Sequence, residues 1–464
     1  MIDLIRHQPV IVAGLARSGA AAAALLAEKG ACEVIVTDLR PAAALQQELA
    51  ALKKYKQLRV VTGENPPELV TPAVGLVIKS PGIPPSLELF QRAKALQIPV
   101  LSEIELAYAF MRAPLIGITG TNGKTTTTAL VAEMLAEARF NGAMAAGNIG
   151  MPLCAAAGRV GTGGAVAAEL SSFQLADILK FRPAVALFLN FAEDHLDYHG
   201  SVENYYRAKA RLFENQAEGD FAVLNASDPA VARLQEKVPG TLLWFARGPV
   251  EDGAGLERGQ VALFNRGRAV AHLCPVKEVA LPGEHNLENA LAASAAAWAA
   301  GAAPEAIGRV LRRFRALAHR LEPVAEIGGV QFINDSKGTN PGAVIRALRS
   351  FPGKKKILIA GGRDKGSDFT ELAAVIKEEV RYLLLFGESR AKLARAVDRA
   401  SFAAYEQVGS LEEAVAGAWA AARPGEIVLL SPACTSWDQF TDYEARGNYF
   451  KELVYNLSKK EDGV

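Results

Sequence analysis

The sequence has few cysteines and no excess of either charge, and each absence narrows the class of protein. Its four cysteines lie far apart with no CxxC spacing, at Cys32, Cys154, Cys274 and Cys434. This pattern argues against a disulfide framework or a cysteine zinc site. With 51 basic and 50 acidic side chains, no broad positive surface for nucleic acid is expected. We expect reduced thiols in a cytoplasmic protein without a nucleic-acid partner.

Long apolar runs, low-complexity tracts and short repeats are also missing. The chain has no run of about eighteen uncharged apolar residues, the length that a membrane span needs. Its opening stretch, MIDLIRHQPVIVAGLARSG, has charges where a signal peptide has its apolar core. We therefore expect no membrane partner. The balanced charge gives no sign of a protein partner, so we expect a monomer.

The chain does contain an alternation of short apolar runs and longer helical patterns, which is typical of α/β units with parallel strands. A length of 464 residues suits several compact units. Three cycles of the alternation predict a dinucleotide-like doubly wound domain over 1–112, a central domain over 113–316 and a C-terminal α/β domain over 317–464. Hairpins are expected within 241–281, and a long helix is expected from His285.

The central domain opens with a glycine-rich loop between a strand and a helix. The strand LIGIT begins at Leu115 and runs into GTNGKTTTT. Such a loop turns backbone N–H groups and the positive end of a helix toward phosphate oxygens. Lys124 can reach the terminal phosphates, and the Thr125 hydroxyl can bind Mg²⁺. The general P-loop pattern has a glycine where Ile118 stands. The loop nevertheless predicts a P-loop ATPase domain.

Polar groups follow two more strands of the central domain. Glu169 ends the apolar strand AVAAEL, and the strand VALFLN precedes Glu193, Asp194, His195 and Asp197. Sites in α/β proteins form at the carboxyl ends of parallel strands, and Mg²⁺ prefers oxygen ligands. A buried ion pair for Glu169, and a turn or helix cap for the aspartates, remain open as alternatives.

The segment after these groups offers less information. His199 is interpreted as a solvated bystander. The following helix, VENYYRAKARLFEN, has three basic residues, Arg207, Lys209 and Arg211. A basic helix face is normally solvated, and spacing alone does not single out Lys209.

Taken in order, these segments resemble the Mur ligase superfamily. The shared motifs are GTNGKT from Gly120, ELSSFQ from Glu169, the stretch from Asn190 to Asp197, HNLEN from His285, HR from His319 and NDSK from Asn334. Two longer phrases, INDSKGTNPGA and LLSPACTSWDQFTDYEARGNYF, resemble the members that add D-glutamate to UDP-N-acetylmuramoyl-L-alanine. The DNPR signature of members that add a diamino acid or lysine is absent. The resemblance implies ATP-dependent amide formation through an acyl phosphate, in peptidoglycan synthesis.

The resemblance also implies which residues surround ATP and its metal ions. ATP would be held by Gly120, Thr121, Asn122, Gly123, Lys124, Thr125, Thr126, Asn286, Asn289 and Asp335. One Mg²⁺ would bind Thr125 and Glu169, and a second would bind His195 and Lys209, the latter carbamylated by CO₂. The catalytic set would be Lys124, His195, Lys209, Arg320 and Lys337, because fixed cations and metals stabilise a transferring phosphoryl group.

Two more groups of residues match the substrate sites of the family. The nucleotide sugar would contact Gly14, Ala16, Arg17, Ser18, Asp38, Arg40, Ser80, Gly82 and Asn148. D-Glutamate would contact His195, Thr339, Lys365, Ser436, Trp437 and Tyr443. The family often has leucine and phenylalanine at the last two of these positions. Because the motifs lie on separate predicted domains, we expect the domains to close during the reaction.

Three other functions each fit part of the sequence. The first strand with its glycines and Asp38 also suits a dehydrogenase, but GLARSG is not GxGxxG. A P-loop kinase or ATPase explains Lys124 and Thr125 but not the motifs of the third domain. A sibling ligase with another amino-acid acceptor would share the ATP chemistry and differ only in the acceptor pocket.

Overall fold

The structure, a computed structural model, describes residues 1–148, 150–315 and 318–461. These residues include three β-sheets, one within each of the three predicted segments. The predicted border at residue 316, the start of the third cycle at Leu317 and the side chain of Asp197 lie outside what is described. The α/β class and the three-domain architecture are confirmed, whereas the borders near residues 112 and 316 stay predictions.

The first sheet is parallel and has the strand order β3-β2-β1-β4-β5. Its strands are β1 (Val10–Ala13), β2 (Val34–Asp38), β3 (Leu58–Thr62), β4 (Leu76–Lys79) and β5 (Val100–Ser102). The helices of this segment are α1 (Ile2–His7), α2 (Arg17–Glu28), α3 (Gln46–Leu52), α4 (Glu88–Ala95) and α5 (Glu103–Phe110). The inner strands are buried along their whole length because helices cover both faces.

The second sheet has the order β14-β13-β12-β11-β10-β9-β6-β8-β7. Its strands are β6 (Leu115–Thr119), β7 (Met144–Gly147), β8 (Val166–Glu169), β9 (Val185–Phe188), β10 (Phe221–Asn225), β11 (Thr241–Phe245), β12 (Gly253–Glu257), β13 (Gln260–Asn265) and β14 (Arg268–Pro275). The predicted hairpins are confirmed, since β12, β13 and β14 form an antiparallel meander. The strand β11, by contrast, pairs in parallel with β10.

The helices of the second segment flank this sheet or follow it. They are α6 (Lys124–Glu137), α7 (Leu153–Ala157), α8 (Ser172–Leu175), α9 (Leu196–His199), α10 (Val202–Ala210), α11 (Pro229–Ala232), α12 (Glu284–Ala299) and α13 (Pro304–Arg313). The long helix expected from His285 is α12, which begins one residue earlier.

The third sheet has the order β15-β16-β20-β17-β18-β19 and is parallel except for the β15–β16 pair. Its strands are β15 (Glu322–Ile327), β16 (Val330–Asn334), β17 (Lys356–Gly361), β18 (Val380–Phe386), β19 (Tyr405–Gln407) and β20 (Ile427–Ala433). Its helices are α14 (Pro341–Arg349), α15 (Thr370–Glu379), α16 (Arg390–Arg399), α17 (Leu411–Ala421) and α18 (Tyr443–Glu461).

Packing divides the chain into two compact units, Met1–Val279 with Glu288–Arg313, and Ala280–Leu287 with Phe314–Val464. The first two sheets share the first unit because α2 and α5 pack on α7, and one hydrophobic cluster runs through both sheets. In the part of the chain that is described, every helix is too short or too polar to cross a bilayer.

Candidate active site

The glycine-rich loop between β6 and α6 is held by a residue that follows β9. The backbone N–H of Asn122 donates to Asn190 Oδ1 at 2.8 Å, and Asn190 Nδ2 donates back to the Asn122 carbonyl at 3.2 Å. The Thr121 N–H donates to the Asn190 carbonyl at 2.9 Å. These bonds fix the loop before any ligand arrives, as a phosphate cradle requires.

Gly123 ends the loop and precedes the first residue of α6. Its φ of +82° lies in the left-handed region. A Cβ there would lie 2.2 Å from Asn289 Oδ1, so the helix α12 approaches the loop more closely than alanine would permit. Thr125 and Thr126 lie buried in the first turn of α6. The structure thus brings the predicted loop and Asn289 together at a helix N-terminus.

Lys124 folds back over the loop that precedes it. Its Nζ donates to the carbonyls of Gly120 at 2.8 Å and Thr121 at 2.9 Å. The ammonium therefore lies beside the positive end of α6, where phosphate oxygens are favoured. Its role in holding phosphates stays a prediction.

Lys209, on α10, reaches the same loop and is 1 % exposed. Its Nζ donates to the Gly120 carbonyl at 2.7 Å and lies 4.7 Å from the centre of the Tyr205 ring. Burial lowers the pKa of Lys209 well below its usual value, and Lys124 lowers it further, against the opposing effect of Asp194 and Glu169. Solvation, the usual state of a basic helix face, does not apply to Lys209.

Glu169 ends β8, the strand beside β6, and is 2 % exposed. Asn148 holds it from the neighbouring chain segment, through an Nδ2 bond to Glu169 Oε1 at 3.1 Å and a backbone bond to the Glu169 carbonyl at 2.8 Å. The predicted nucleotide-sugar residue Asn148 therefore contacts the predicted metal ligand directly.

His195 adopts a left-handed backbone, with φ +53°, where it starts α9. Its ring packs edge-on against Phe173, with the ring centres 4.8 Å apart, and its Nε2 lies 3.7 Å from Asp194 Oδ2. The Thr121 hydroxyl donates to the Ala192 carbonyl at 3.0 Å, which ties this segment to the phosphate loop. The structure therefore places the His195 segment beside the predicted nucleotide site.

The interpretation of His199 as a solvated bystander is wrong. This half-buried side chain stacks on Phe173 with ring centres 5.5 Å apart, and its Nε2 lies 3.0 Å from the Ser172 hydroxyl. It packs against the ELSSFQ segment, and both α8 and α9 contact α10.

The donor set suits Mg²⁺ bound together with a nucleotide. Among the described residues, no three His, Cys, Asp or Glu side chains gather into a metal site by themselves. Mg²⁺ in nucleotide sites takes one or two protein oxygens and completes its shell with water and phosphate. The buried Glu169 carboxylate and the buried Thr125 hydroxyl are two such protein oxygens.

The first sheet builds a second phosphate-sized turn, between β1 and α2. A Cβ on Gly19 would lie 1.7 Å from the Gly14 carbonyl oxygen, so only glycine permits this approach. Ser80, after β4, donates from its hydroxyl to the same carbonyl at 2.9 Å. Ala16, Arg17 and Ser18 are at least partly exposed at the start of α2, and Gly82 is exposed in the neighbouring loop.

Asp38 ends β2 beside this turn and joins it to Arg40. Its carboxylate accepts the Leu15 N–H at 2.6 Å and the Arg40 Nε and Nη2 at 3.0 Å. Burial acts to raise the pKa of Asp38, but the hydrogen bonds from Arg40 and Leu15 outweigh it and hold the pKa below its ordinary value. Gly14, Asp38, Arg40 and Ser80 are thus brought together.

Asp335 follows β16 in the second compact unit and is 7 % exposed. Its Oδ2 accepts the Ser431 hydroxyl at 2.6 Å, and its Oδ1 accepts the Leu321 N–H at 3.3 Å. Burial raises the pKa of Asp335 to about 6, although the Ser431 bond and nearby Arg320 act in the opposite direction. Arg320 is therefore near Asp335.

The remaining predicted residues of this unit are two lysine–aromatic pairs, two residues in loops and one residue on α12. Lys337 Nζ lies 4.9 Å from the Tyr443 ring centre, and Lys365 Nζ lies 5.5 Å from that of Trp437. Ser436 is buried after β20, whereas Trp437 is 59 % exposed. The Thr339 N–H donates to the Lys337 carbonyl at 2.9 Å. In the first turn of α12, Asn286 Nδ2 donates to the Pro282 carbonyl at 2.7 Å.

The comparisons with known proteins agree with this geometry. Residues 118–297 match the Mur ligase middle domain, and residues 319–434 match the Mur ligase glutamate ligase domain. The chain is 45 % identical over 461 residues to the UDP-N-acetylmuramoylalanine–D-glutamate ligase of Pelotomaculum thermopropionicum, covering 99 % of this chain and 100 % of the relative. It is 45 % identical to the enzyme of that name from Geobacillus kaustophilus, covering 97 % and 98 %.

The chain belongs to the Mur ligase family. Solved Mur ligases share its fold at low identity. The UDP-N-acetylmuramate-alanine ligase of Thermotoga maritima has a TM-score of 0.62 at 19 % identity, covering 97 % of this chain and 100 % of that one. The MurF ligase of Thermotoga maritima, solved with ADP, has a TM-score of 0.58 at 17 % identity, covering 99 % and 97 %. The predicted resemblance is confirmed.

Sequence reasoning missed several residues that hold this Mur ligase site together. Asn190 opens one of the family motifs but has no role predicted from the sequence, and it braces the phosphate loop. Arg446 is fully buried, and its Nη2 donates to the Ser336 carbonyl at 2.8 Å and the Cys434 carbonyl at 3.2 Å. A single arginine in a polar helix gives no sequence signal for such a role.

Proposed function

We propose that this Mur ligase uses ATP to join D-glutamate to UDP-N-acetylmuramoyl-L-alanine through an acyl phosphate. The proposal rests on the phosphate loop, where the ammonium groups of Lys124 and Lys209 both donate to the Gly120 carbonyl. Glu169 ends the strand that pairs with the strand before this loop. Two relatives that bear this activity in their names, each matched over nearly its whole length, support the choice of acceptor.

The reaction needs an activated carboxyl group. ATP donates its γ-phosphoryl group to the substrate carboxylate, the amine of D-glutamate displaces the phosphate, and the products are the amide, ADP and phosphate. Lys124, with Arg320 and Lys337, would stabilise the negative charge that spreads over the phosphoryl oxygens. Asn286, Asn289 and Asp335 would hold the nucleoside.

Two Mg²⁺ ions would neutralise phosphate charge in this site. Thr125 and Glu169 suit the first ion. His195 and a carbamylated Lys209 suit the second, because a carbamate replaces a cationic amine by anionic oxygens. Burial of Lys209 favours the neutral amine, the form that reacts with CO₂.

The carbamate has its own test. Lys209→Ala should lose activity and regain part of it with added formate or acetate, while Arg207→Ala, at an exposed position two residues earlier on α10, should behave as wild type. A ¹³CO₂-labelled protein should give a carbamate carbonyl resonance that Lys209→Ala lacks. Full activity of Lys209→Ala without additive would exclude a ligand role.

The substrate ends are assigned to separate segments. We propose that residues 1–112 hold the nucleotide sugar, through Gly14, Asp38, Arg40 and Ser80 among others, that 113–316 bind ATP, and that 317–464 bind D-glutamate. Within the last segment, Lys365 and Ser436 would hold the side-chain carboxylate, with Thr339, Trp437 and Tyr443 around it. We further propose a cytoplasmic monomer without nucleic-acid or membrane partners; sedimentation would detect any larger assembly.

An amino-acid panel tests the function. Phosphate release from Mg-ATP and UDP-N-acetylmuramoyl-L-alanine should require D-glutamate and match the amide formed. Release with a different amino acid alone would leave a sibling ligase as the function. Phosphorylated product that accumulates without amide would favour a kinase.

A further inference from the structure

Lys79 is a buried lysine of the proposed nucleotide-sugar segment that contacts the proposed ATP-binding segment. It ends β4, immediately before Ser80 of the nucleotide-sugar turn, and is 2 % exposed. Its Nζ forms an ion pair with Asp177 Oδ2 at 2.5 Å and donates to the Tyr198 hydroxyl at 2.7 Å. A buried ammonium requires such partners, because desolvation is costly without them.

The partners of Lys79 come from segments that hold predicted metal ligands. Asp177 follows α8, which comes directly after the strand that ends at Glu169. Tyr198 lies in α9, one turn after His195, and its backbone N–H donates to the His195 carbonyl at 3.2 Å. One ammonium therefore joins the nucleotide-sugar turn to both segments.

An aromatic contact extends this connection to the His195 ring. Phe173 packs edge-on against Tyr198 with ring centres 4.4 Å apart, and against His195 with ring centres 4.8 Å apart. A change at the Tyr198 hydroxyl is thus two side chains away from the His195 imidazole. On the other side, Ser80 fixes the Gly14 carbonyl.

We propose that Lys79 is a positioning residue that sets the nucleotide-sugar turn against the helix that begins after His195. The inference rests on the proposed function, because it needs the turn at Ser80 and the metal-binding role of His195. It adds a residue that touches neither ATP nor substrate but aligns the groups that do. Binding of the nucleotide sugar and the Mg²⁺ requirement should therefore change together when Lys79 is lost.

Two variants separate alignment from simple stability. Lys79→Met removes the ammonium, and Tyr198→Phe removes one oxygen while its ring stays against Phe173. Lys356→Met is the matched control, since Lys356 is 0 % exposed and its Nζ pairs with Glu379 at 2.6 Å, in the other compact unit. All three should lower the midpoint of thermal unfolding.

The kinetic constants should differ between them. Lys79→Met should raise the KM for UDP-N-acetylmuramoyl-L-alanine and the half-saturating Mg²⁺ concentration by about tenfold, the lower end of the losses typical when a group that orients metal ligands is removed. Tyr198→Phe should move the same two constants in the same direction by less. Lys356→Met should leave both constants unchanged, and the double variant of Lys79 and Tyr198 should be no worse than Lys79→Met alone.

Unchanged constants in Tyr198→Phe and in Lys79→Met, with only a lower unfolding midpoint, would make Lys79 a structural ion pair and overturn the inference. If Lys79→Met does not fold, the result for Tyr198→Phe decides. Wild-type protein that neither binds nor turns over the nucleotide sugar would instead overturn the proposed function.

Discussion

A single methyl group at Gly123 should inactivate the phosphate loop. The φ of +82° costs a residue other than glycine about 1–2 kcal/mol. In addition, the new Cβ would lie 2.2 Å from Asn289 Oδ1, roughly 1 Å inside van der Waals contact. Asn289 is 6 % exposed, so its side chain cannot swing aside without repacking. Either the loop or Asn289 must leave its place.

The chain offers a matched control for the backbone cost. Gly142 has the same φ of +82°, and a Cβ there meets no described atom within 4 Å. Gly142→Ala should lower the free energy of unfolding by about 1–2 kcal/mol and leave turnover unchanged. Any further loss in Gly123→Ala then comes from the contact with Asn289 and the displaced loop.

The expected functional loss follows from the role of the loop. Misplacing one set of donors that stabilise the transferring phosphoryl group costs about 3 kcal/mol, or about a hundredfold in kcat/KM for ATP. The assay is phosphate release over a range of ATP concentrations, with chemical unfolding of both variants in parallel. If Gly123→Ala matched Gly142→Ala in both measurements, the assignment of this loop would be refuted.

Three further variants test other parts of the site. Lys124→Ala should lower kcat by about a hundredfold or more, through lost charge stabilisation; normal turnover would exclude the loop as the ATP site. Asp335→Asn should stabilise the fold at pH 8, because it removes a buried carboxylate whose pKa in the folded protein, about 6, exceeds the ordinary 3.8. The protonated Asp335 contributes its full stability below about pH 4, and this contribution is lost as the pH rises through about 6. The gain is about 3 kcal/mol at most, and chemical unfolding that shows no gain at pH 8 would contradict it. Arg446→Met should lower the free energy of unfolding by about 3 kcal/mol, since it leaves buried carbonyls of Ser336 and Cys434 unpaired; unchanged denaturation would contradict this role.

The inner strands of the sheets could be predicted, because a strand buried on both faces has a nearly continuous run of apolar residues. Val10–Ala13 and Leu115–Thr119 are examples, and both agree with the structure. The short edge strand Tyr405–Gln407 was missed, because three residues, two of them exposed, are too few to show an alternation of apolar and polar side chains. The shared core of the first two sheets was also invisible, because helix-to-helix packing across segments has no local pattern.

The candidate site was predictable where chemistry and position coincide. Glu169 stands out as an acid at the end of an apolar strand, and it is buried there. Lys209 does not stand out, because a lysine in a basic helix is usually solvated. Its position four residues after the buried Tyr205 places both on one helix face, but only the fold shows that this face meets the Gly120 carbonyl.

Isotope transfer tests the central claim most directly. UDP-N-acetylmuramoyl-L-alanine labelled with ¹⁸O in its terminal carboxylate should be incubated with Mg-ATP and D-glutamate, and the released phosphate analysed by mass spectrometry. An acyl-phosphate ligase transfers one labelled oxygen to each phosphate released and retains the other in the new amide. Released phosphate that lacks ¹⁸O from the carboxylate, or release that does not depend on D-glutamate, would contradict the account.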